Sequence, residues 1–403
     1  MYLSPRSKFL LILVGFIGTV ILIGWLIVAL LFRGSPVIEE EIEDDTTQDE
    51  DGRLSLADEI EQRESQDEDS ATGQLPSSVA DGGETFTQRL TSSAITEPTI
   101  IGDTILFYDP RDGLFYMIDS SGELIAITDQ SFAGAETVTI ANSGTKAALE
   151  FPDGSNIIYD LESGEQTTLP SHWEEFEFSE DGEEVANKSL TVDSNSNALI
   201  VSSSEGSQTQ VVAGLGKNEA KVTVSVSPNN NVVAFSETGE TQSGFGRAQI
   251  YLIDYNGEAM GSLIVEGGNF SAIWSPSGND ILYSVSLASA GDTPSLWYTN
   301  ATGSVGSDRE RIDLNTWVEK CTFKDEATII CAAPREVTAG SGLDHRLIDG
   351  TDDVYEVTLA TGRVKLLASP VLDIQMENLS VSDDESILYF TDSLGRLNFM
   401  RLK

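Results

Sequence analysis

Two cysteines are the first side chains whose spacing suggests chemistry. Cys321 and Cys331 flank the segment CTFKDEATIIC, in which apolar runs surround a turn-forming centre. If Phe323 faces Ile329 across that turn, the same register sets Cys321 opposite Cys331. Directly opposed residues of an antiparallel pair bring their Cβ atoms close enough for a disulfide. We therefore predict a Cys321–Cys331 disulfide, and the alternative is two buried free thiols.

A charged loop from Arg335 to Asp353 is the second candidate for chemistry. Its acids and bases could bind a cation or a charged partner, and we take these as the candidate binding residues: Asp344, His345, Arg346, Asp349, Asp352 and Asp353. Oxygen-rich side chains suit Ca²⁺, although the D-x-D-x-D-G ladder of a calcium loop is absent. The alternative is a plain solvated loop. We expect no cofactor, with Ca²⁺ kept open. A zinc site is not expected, because the only histidines, His172 and His345, lack ligand spacing with the cysteines.

No residue grouping in the sequence identifies a catalytic centre. The nucleophile elbow G-x-S-x-G is absent, and FSEDGEEVA lacks the tryptophan of a sialidase-type Asp box. The 66 acidic residues make carboxylate pairs for glycoside hydrolysis unavoidable, and no spacing singles one out. We name no catalytic residue. We expect a protein without enzymatic activity in preference to an enzyme.

The composition excludes one class of partner. The 403 residues are 40% hydrophobic, enough for a buried core, and carry 23 basic against 66 acidic side chains. The formal net charge of −43 repels the phosphates of nucleic acids. We therefore predict that the chain does not bind nucleic acid.

The N-terminus contains a predicted transmembrane helix. Residues 9–32 carry no charge, and as a helix they would extend about 36 Å. Arg6 and Lys8 precede this run, and acidic residues follow it after Arg33, so positive charge lies on the cytoplasmic side. The run is longer than the apolar region of a cleavable signal peptide. We predict an uncleaved signal anchor in the cell membrane, with residues 1–8 cytoplasmic and the rest extracytoplasmic.

Residues 33–81 read as a disordered acidic linker. They are rich in Glu, Asp, Ser and Gln and nearly free of aromatic residues. Such a segment buries too little apolar surface to offset the entropy of ordering. We predict a solvated tether between the membrane and a domain at residues 82–403.

Two hairpin signatures alternate along residues 82–403. In the first, an apolar residue and a small polar residue precede a turn and an apolar strand, as in WSPSGNDILYS from Trp274. In the second, an apolar and aromatic strand leads to a turn ending in Gly, as in IYLIDYNGEAMGSLIV around Gly257. Two hairpins per period of about 40–50 residues give four strands per unit, which is the blade of a β-propeller. The sequence thus predicts an all-β domain.

The number of repeats predicts seven blades. Six complete units run to about residue 367, and a seventh begins at Val381 and ends one strand short at the C-terminus. An open edge of this kind needs a partner strand. We expect Gly82–Ser92 to supply it and so to close the ring, with six or eight blades as alternatives because two units depart in length.

The repeat resembles that of TolB-like, WD-type β-propellers. The S-P-x-G turn of Trp274–Ser284 and the I-D-x-x-G turn of Tyr251–Gly257 carry the resemblance, which covers roughly residues 82–403. Cys321–Cys331 with its flanks also resembles a hairpin of membrane-anchored bacterial propellers of unassigned function. Propellers of this type serve as periplasmic interaction scaffolds, as accessory domains of prolyl-type peptidases and in carbohydrate-active proteins. The resemblance thus implies a fold and leaves the activity open.

These observations lead to three hypotheses about function, of which the third is a tethered structural spacer that bare loops without a pocket would favour. The first is a membrane-anchored scaffold in the cell envelope that binds a protein or a glycan. The second is an envelope hydrolase or lyase that uses acidic residues in the funnel of the propeller. Acidic side chains converging on one mouth of the channel would favour the second hypothesis, and an apolar channel would exclude it.

Overall fold

The domain is a seven-bladed β-propeller, as predicted. The computed structural model describes residues 76–119, 122–239, 246–348 and 350–403, and within them seven antiparallel sheets follow one another. Each blade has four strands in sequential order, apart from the closing strand of blade 7 and one extra strand on blade 6. The alternatives of six and eight blades are therefore excluded.

The strands are numbered in chain order, and each group of strands runs from blade 1 to blade 7. The first strands are β3 (Thr96–Ile101), β7 (Thr137–Ile140), β11 (Trp173–Phe178), β15 (Val222–Val224), β19 (Gly268–Trp274), β23 (Cys321–Asp325) and β27 (Glu377–Val381). The second strands are β4 (Thr104–Asp109), β8 (Lys146–Glu150), β12 (Glu184–Ser189), β16 (Val232–Ser236), β20 (Asp280–Leu287), β24 (Thr328–Pro334) and β28 (Ile387–Thr391).

The outer half of each blade is built from the remaining strands. The third strands are β5 (Leu114–Ile118), β9 (Asn156–Asp160), β13 (Ala198–Ser203), β17 (Arg247–Asp254), β21 (Thr293–Asn300), β25 (Asp352–Thr358) and β29 (Arg396–Arg401). The fourth strands are β6 (Leu124–Ala126), β10 (Gln166–Leu169), β14 (Gln210–Gly214), β18 (Ala259–Glu266), β22 (Glu310–Arg311), β26 (Arg363–Pro370) and, for blade 7, β2 (Gln88–Ala94). Short 3₁₀ helices occupy Ser194–Ser196, Gly216–Lys221, Ala288–Ala290, Val318–Lys320, Ser341–Leu343, His345–Leu347 and Leu359–Thr361.

The first strands line the central channel. From β23 through β27, β3, β7 and β11 to β15, each first strand contacts that of the next blade. Neighbouring strands of a blade are antiparallel, so the connections between strands lie alternately at the two faces of the propeller. The loop face carries the loops between second and third strands and those between blades. The turn face carries the hairpin turns between first and second strands and between third and fourth strands.

Side-chain hydrogen bonds explain why the two hairpin signatures recur. In four first hairpins a serine hydroxyl accepts a backbone N–H five residues later: Ser179 from Glu184, Ser227 from Val232, Ser275 from Asp280 and Ser382 from Ile387. In the second signature Asp254 accepts the N–H groups of Asn256 and Glu258. Gly257 follows at φ 79°, and a Cβ there would lie 2.1 Å from Val212 O. The turns thus fix the register of these hairpins locally.

Apolar side chains pack between neighbouring blades. Between blades 1 and 2, for example, Phe115, Phe132 and Tyr159 pack as edge-to-face pairs, with ring centroids 6.3 and 4.7 Å apart. The second strands are buried on both faces. For this reason the central residues of β8 (KAALE) and most of β16 (VVAFS) are consecutive apolar residues. The hydrophobic core therefore consists of the apolar interfaces between neighbouring blades.

The chain closes the ring with an N-terminal strand, as predicted. β2 pairs antiparallel with β29, the third strand of blade 7, and Thr91 Oγ1 accepts the N–H of Leu397 at 2.9 Å. The closing strand is Gln88–Ala94, so it begins later than the predicted Gly82–Ser92. The two residues of β1 (Glu84–Thr85) pair instead, in parallel, with β26 of blade 6. Ala80, ahead of the predicted domain boundary, is buried against blades 6 and 7.

The structure contains the Cys321–Cys331 disulfide, in the register predicted from the sequence. Cys321 lies opposite Cys331 and Phe323 opposite Ile329. Within the described residues, no helix has the length and apolarity needed to cross a membrane. The predicted anchor, residues 9–32, and the linker as far as residue 75 lie outside the described residues.

Candidate functional site

Polar side chains converge at the mouth of the channel on the loop face. Four first strands carry a β-bulge near this end, and in each the bulge holds a residue other than glycine at positive φ. These residues are Glu97 (φ 51°), Glu175 (φ 59°), Asn269 (φ 55°) and Asn378 (φ 50°). Such a conformation is uncommon for side chains with a Cβ, and bulges often redirect side chains next to binding sites. The mouth is thus the most distinctive polar region of the ring.

Two carboxyl groups on the channel strands, Glu97 and Glu177, are close enough to repel each other electrostatically. Glu97 lies on β3 of blade 1 and Glu177 on β11 of blade 3, so blade 2 lies between them. Loss of solvation raises the pKa of Glu177 to about 7, and repulsion by Glu97 adds to that shift. Loss of solvation also raises the pKa of Glu97. A carboxyl group with a pKa near 7 can both donate and accept a proton at neutral pH.

Further acids lie on blades 2 and 3. Glu175 Oε1 lies 2.7 Å from Nζ of Lys188, whose side chain is almost fully buried. The backbone N–H of Glu175 donates to Oε2 of Glu150 at 3.3 Å. Loss of solvation raises the pKa of Glu150, and the charges of Glu174 and Glu175 raise it further. This side of the mouth is therefore acidic, with one buried lysine as its counter-charge.

The long loop of blade 6 covers the opposite side of the mouth. It reaches blade 5, where the N–H groups of Gly340 and Gly342 donate to the carbonyls of Gly291 and Asp292 at 2.8 and 2.7 Å. Asn269 on the first strand of blade 5 donates to Leu343 O at 3.0 Å. A Cβ at Gly342 would lie 2.7 Å from Asp292 O, so only glycine fits this contact. The loop is thus held against a neighbouring blade.

His345 turns inward from this loop. Its ring lies 6.4 Å from that of buried Trp317, and Nε2 lies 4.0 Å from Oε1 of Glu377 on the first strand of blade 7. Within the described residues, His345 Nδ1 and Trp317 Nε1 are buried without a hydrogen-bond partner. Buried polar atoms of this kind are usually satisfied by an ordered water or a ligand. His345 thus belongs to the mouth itself.

The remaining candidate residues of the loop are engaged in ion pairs. Asp344 accepts three hydrogen bonds from Arg346, each 2.9 Å, which lower its pKa to about 2. Asp353 pairs with Arg335 at 2.9 Å, and buried Asp352 pairs with Lys320 at 2.6 Å.

Asp349 lies outside the described residues, and among those described no three His, Cys, Asp or Glu side chains are grouped to hold a metal ion. Binding of Ca²⁺ or of a charged partner by this loop stays a prediction.

Several exposed apolar side chains lie in segments at the loop-face end of blades 6 and 7. Leu394 is 64% exposed, Leu372 53%, Phe86 47% and Val371 40%. We call these four residues the apolar patch. Leu372 and Leu394 adjoin Asp373 and Ser393 in the sequence, and these two residues line a shallow cavity of about 470 Å³ together with Gly350, Thr351 and Gln375. Exposed apolar clusters with polar rims often mark interaction sites.

Sequence reasoning did not find several residues of the channel and its mouth. Glu177 stands in the run WEEFEF, where apolar and acidic residues alternate, and that alternation was the available signal for a strand with one acidic face. Glu97 and Lys320 carry no such signal. The charge of Glu97 acts on Glu177 only because blades 1, 2 and 3 pack side by side, and Lys320 pairs with Asp352 only because the long loop folds back.

Comparisons with known proteins identify the fold of this chain but not a family or an activity. Neither a protein-family model nor a curated protein sequence matches the chain. An oligogalacturonate lyase in complex with manganese superimposes with a TM-score of 0.54 at 12% identity, covering 78% of this chain and 92% of that one.

A second oligogalacturonate lyase, from Vibrio parahaemolyticus, gives a TM-score of 0.53 at 11% identity, with 78% and 93% covered. The β-propeller domain of Cps50 (Swd1) from Myceliophteria thermophila gives 0.51 at 12% identity, with 79% and 100% covered. Such identities support a common architecture for chains of different activity. The chain is a seven-bladed β-propeller.

Proposed function

We propose that this protein is a single-pass membrane protein whose propeller lies outside the cytosol and binds another protein of the cell envelope. The uncharged run at residues 9–32 and the basic residues before it support the anchor and its orientation. The acidic linker supports a domain held away from the bilayer by a self-repelling tether. The propeller then offers a rigid surface to a partner in the same membrane or facing it.

The apolar patch is the observation that favours a protein partner over a glycan. Three of its four side chains, Leu372, Leu394 and Val371, are aliphatic, and they lie beside a cavity. Such a surface packs well against the apolar side chains of a protein. A glycan would instead favour a platform of flat exposed aromatic rings. The net charge of −43 favours a partner with basic residues around its apolar contact.

Crosslinking mass spectrometry on native membranes tests this function. The full chain should yield repeated crosslinks to one envelope protein, and they should map to the loop face of blades 6 and 7. The variant Leu372→Ser, Leu394→Ser should lose those crosslinks, whereas Leu124→Ser, an equally exposed leucine on the outer strand of blade 1, should retain them. Crosslinks confined to the turn face, or none at all, would contradict the proposal.

A second candidate function rests on the carboxyl groups of the channel. Glu177 and Glu97 would act as acid and base in a hydrolase or lyase that cleaves a glycan, because a pKa near 7 suits proton transfer at neutral pH. The likeness to oligogalacturonate lyases makes oligogalacturonates a first substrate to test. The acidic mouth opposes a polyanionic substrate, so neutral oligosaccharides form a necessary second set.

The enzyme hypothesis is tested by incubating the full chain with both sets and measuring chain cleavage. Product that disappears in Glu177→Gln, and persists in the neighbouring exposed variant Glu174→Gln, would support this second function. If neither set is cleaved by the wild-type protein, the enzyme hypothesis is abandoned and the binding function stands.

A further inference from the structure

The segment just ahead of the closing strand forms a small closed loop. Its two ends are bonded to each other: Ser77 N–H donates to Glu84 O at 2.8 Å, and Phe86 N–H donates to Ser77 O at 3.0 Å. Ser77 also forms a parallel bridge with Thr85. We call residues Ser77–Phe86 the clasp. It precedes β2 in the chain, so it lies between the acidic linker and the ring.

The clasp is attached to blade 6 by a short set of backbone contacts. Their centre is the two-residue parallel ladder between β1 and β26. Next to this ladder, Gly82 N–H donates to Leu367 O at 2.8 Å and Ser369 N–H donates to Gly83 O at 2.9 Å. Every other blade edge in the described residues lacks such a fifth strand. The clasp is thus an addition to a blade that is already complete.

Few side chains hold the clasp in place. Of its ten residues, only Ala80 and Thr85 are buried. Ala80 packs at the interface of blades 6 and 7, and its N–H donates to Arg401 O at 2.9 Å. Both buried side chains are small, so their burial stabilises the docked clasp only modestly. Segments with few buried apolar contacts open at a lower free energy than the core.

The ring is closed by contacts that do not involve the clasp. The pairing of β2 with β29 runs from Gln88, opposite Phe399, to Ala94, opposite Arg396. All of these pairs lie after the clasp in the chain. Loss of the clasp contacts therefore leaves the closing strand paired.

The clasp also forms part of the apolar patch. Phe86, its last residue, is one of the four side chains of the patch. The backbone of a second patch residue, Val371, is held by the clasp, because its N–H donates to Thr85 O at 3.2 Å. Leu372 follows Val371 directly in the chain. Release of the clasp would thus remove Phe86 from the patch and free the backbone at Val371.

We propose that the clasp docks and releases as a unit while β2 keeps the ring closed, and that the apolar patch is complete only when the clasp is docked. The consequence for binding rests on the proposed function, in which a partner binds the patch. A partner that binds the complete patch better than the incomplete one shifts the clasp towards its docked state. By reciprocity, a released clasp weakens the binding of that partner by the same factor.

Hydrogen exchange of the full chain in lipid nanodiscs tests the release without a partner. The amides of Ala80, Gly82 and Phe86 should show similar protection factors, roughly tenfold or more below those of β2 and β29. Val371 should exchange with the clasp, since its acceptor leaves when the clasp is released. Clasp amides as protected as those of β2 and β29 would overturn the proposal, and so would a Val371 amide that stays protected while the clasp exchanges.

A locked variant tests whether the clasp and the patch residue move together. Glu84 lies opposite Ser369 in the ladder, so Glu84→Cys with Ser369→Cys places two cysteines where a disulfide can form. The bonded variant should slow exchange of the clasp and of Val371 roughly tenfold or more. The control Glu84→Ser has side chains of similar size without the bond, and it should exchange like the wild-type protein. Slowing of the clasp alone, with Val371 unchanged, would contradict the link to the patch.

A released variant tests whether the ring stays closed. Ala80→Asp places a charge at a buried apolar position, which the clasp avoids by leaving the ring. Its clasp should lose protection, while β2 and β29 keep theirs. Ser78→Asp adds the same charge at an exposed neighbour and should change neither. If Ala80→Asp also removes protection from β2, the clasp and the closing strand form one unit and the proposal is wrong.

Photocrosslinking from Leu394 in native membranes separates this proposal from the proposed function. With a photoreactive amino acid at that position, Ala80→Asp should lower the yield of the partner crosslink roughly threefold or more, and Ser78→Asp should not. An unchanged yield in Ala80→Asp would overturn the coupling between clasp and patch. Absence of a crosslink in every variant would contradict the proposed function, whereas the exchange measurements would still decide whether the clasp releases.

Discussion

Lys320 and Asp352 form a buried ion pair, with Lys320 Nζ 2.6 Å from Asp352 Oδ2 and both side chains at most 3% exposed. Asp352 Oδ2 also accepts the N–H of Met376 at 2.7 Å. Lys320 ends the connection into blade 6, Asp352 begins the third strand of that blade, and Met376 precedes the first strand of blade 7. One carboxylate thus joins two blades at the point where the long loop returns.

Removing one member of this pair should strongly destabilise the propeller. Asp352→Asn or Lys320→Met leaves the other charge buried without a partner, and we expect a loss of about 3–5 kcal/mol in the free energy of unfolding. The measurement is denaturant unfolding of the full chain. Asp344→Asn, which breaks the solvent-exposed pair with Arg346, is the matched control and should change stability little. Equal losses in both would show that burial of the pair is unimportant.

The disulfide should stabilise the domain, and its oxidation state in cells should show whether the domain lies outside the cytosol. It closes a loop with a sequence separation of 10 residues. Replacing both cysteines with serine should lower the free energy of unfolding by about 2–3 kcal/mol. In cells, mass spectrometry under alkylating conditions should find Cys321 and Cys331 oxidised, because the disulfide persists outside the reducing cytosol. Reduced thiols in freshly alkylated cells would contradict the proposed extracytoplasmic location.

Glu177 should make stability depend on pH in a defined direction. Its pKa is raised from 4.5 to about 7 in the folded protein, so between these values the folded state binds more protons than the unfolded state. Stability should fall as pH rises from about 4.5 to about 7, by roughly 1–3 kcal/mol from this group, and then level off.

The variant Glu177→Gln should remove this part of the pH dependence. We therefore expect it to be more stable than the wild-type protein at pH 8 and closer to it at pH 5. Glu174→Gln is the control on the same strand. Parallel pH profiles for the wild-type protein and Glu177→Gln would show that Glu177 titrates normally.

The fold was predictable because its signals are local. Ser275, Asp254 and Gly257 each act within a few residues of their own position, so the turns and the blade repeat can be read from a short window. The disulfide follows from the same hairpin register. The closing strand was predictable because an unpaired edge on β29 requires a partner, although the two-residue pairing of β1 with blade 6 has no local signal.

The candidate site was less predictable because its contacts join distant parts of the chain. The composition of the long loop predicts that its acids bind a ligand, whereas the structure shows most of these acids paired with arginine or lysine. Glu97 and Glu177 lie on blades 1 and 3, so their charges interact only when three consecutive blades pack side by side. The apolar patch combines residues from the N-terminus, blade 6 and blade 7, so no single segment indicates it.

Site-specific photocrosslinking in native membranes tests the central claim most directly. A photoreactive amino acid at Leu394, in the apolar patch, is compared with the same amino acid at Leu124, which is 56% exposed on the outer strand of blade 1. We predict that illumination at Leu394 yields one discrete crosslinked envelope protein and that illumination at Leu124 yields none. The same product from both positions, or no product from Leu394, would contradict the proposal that this face recognises a protein partner.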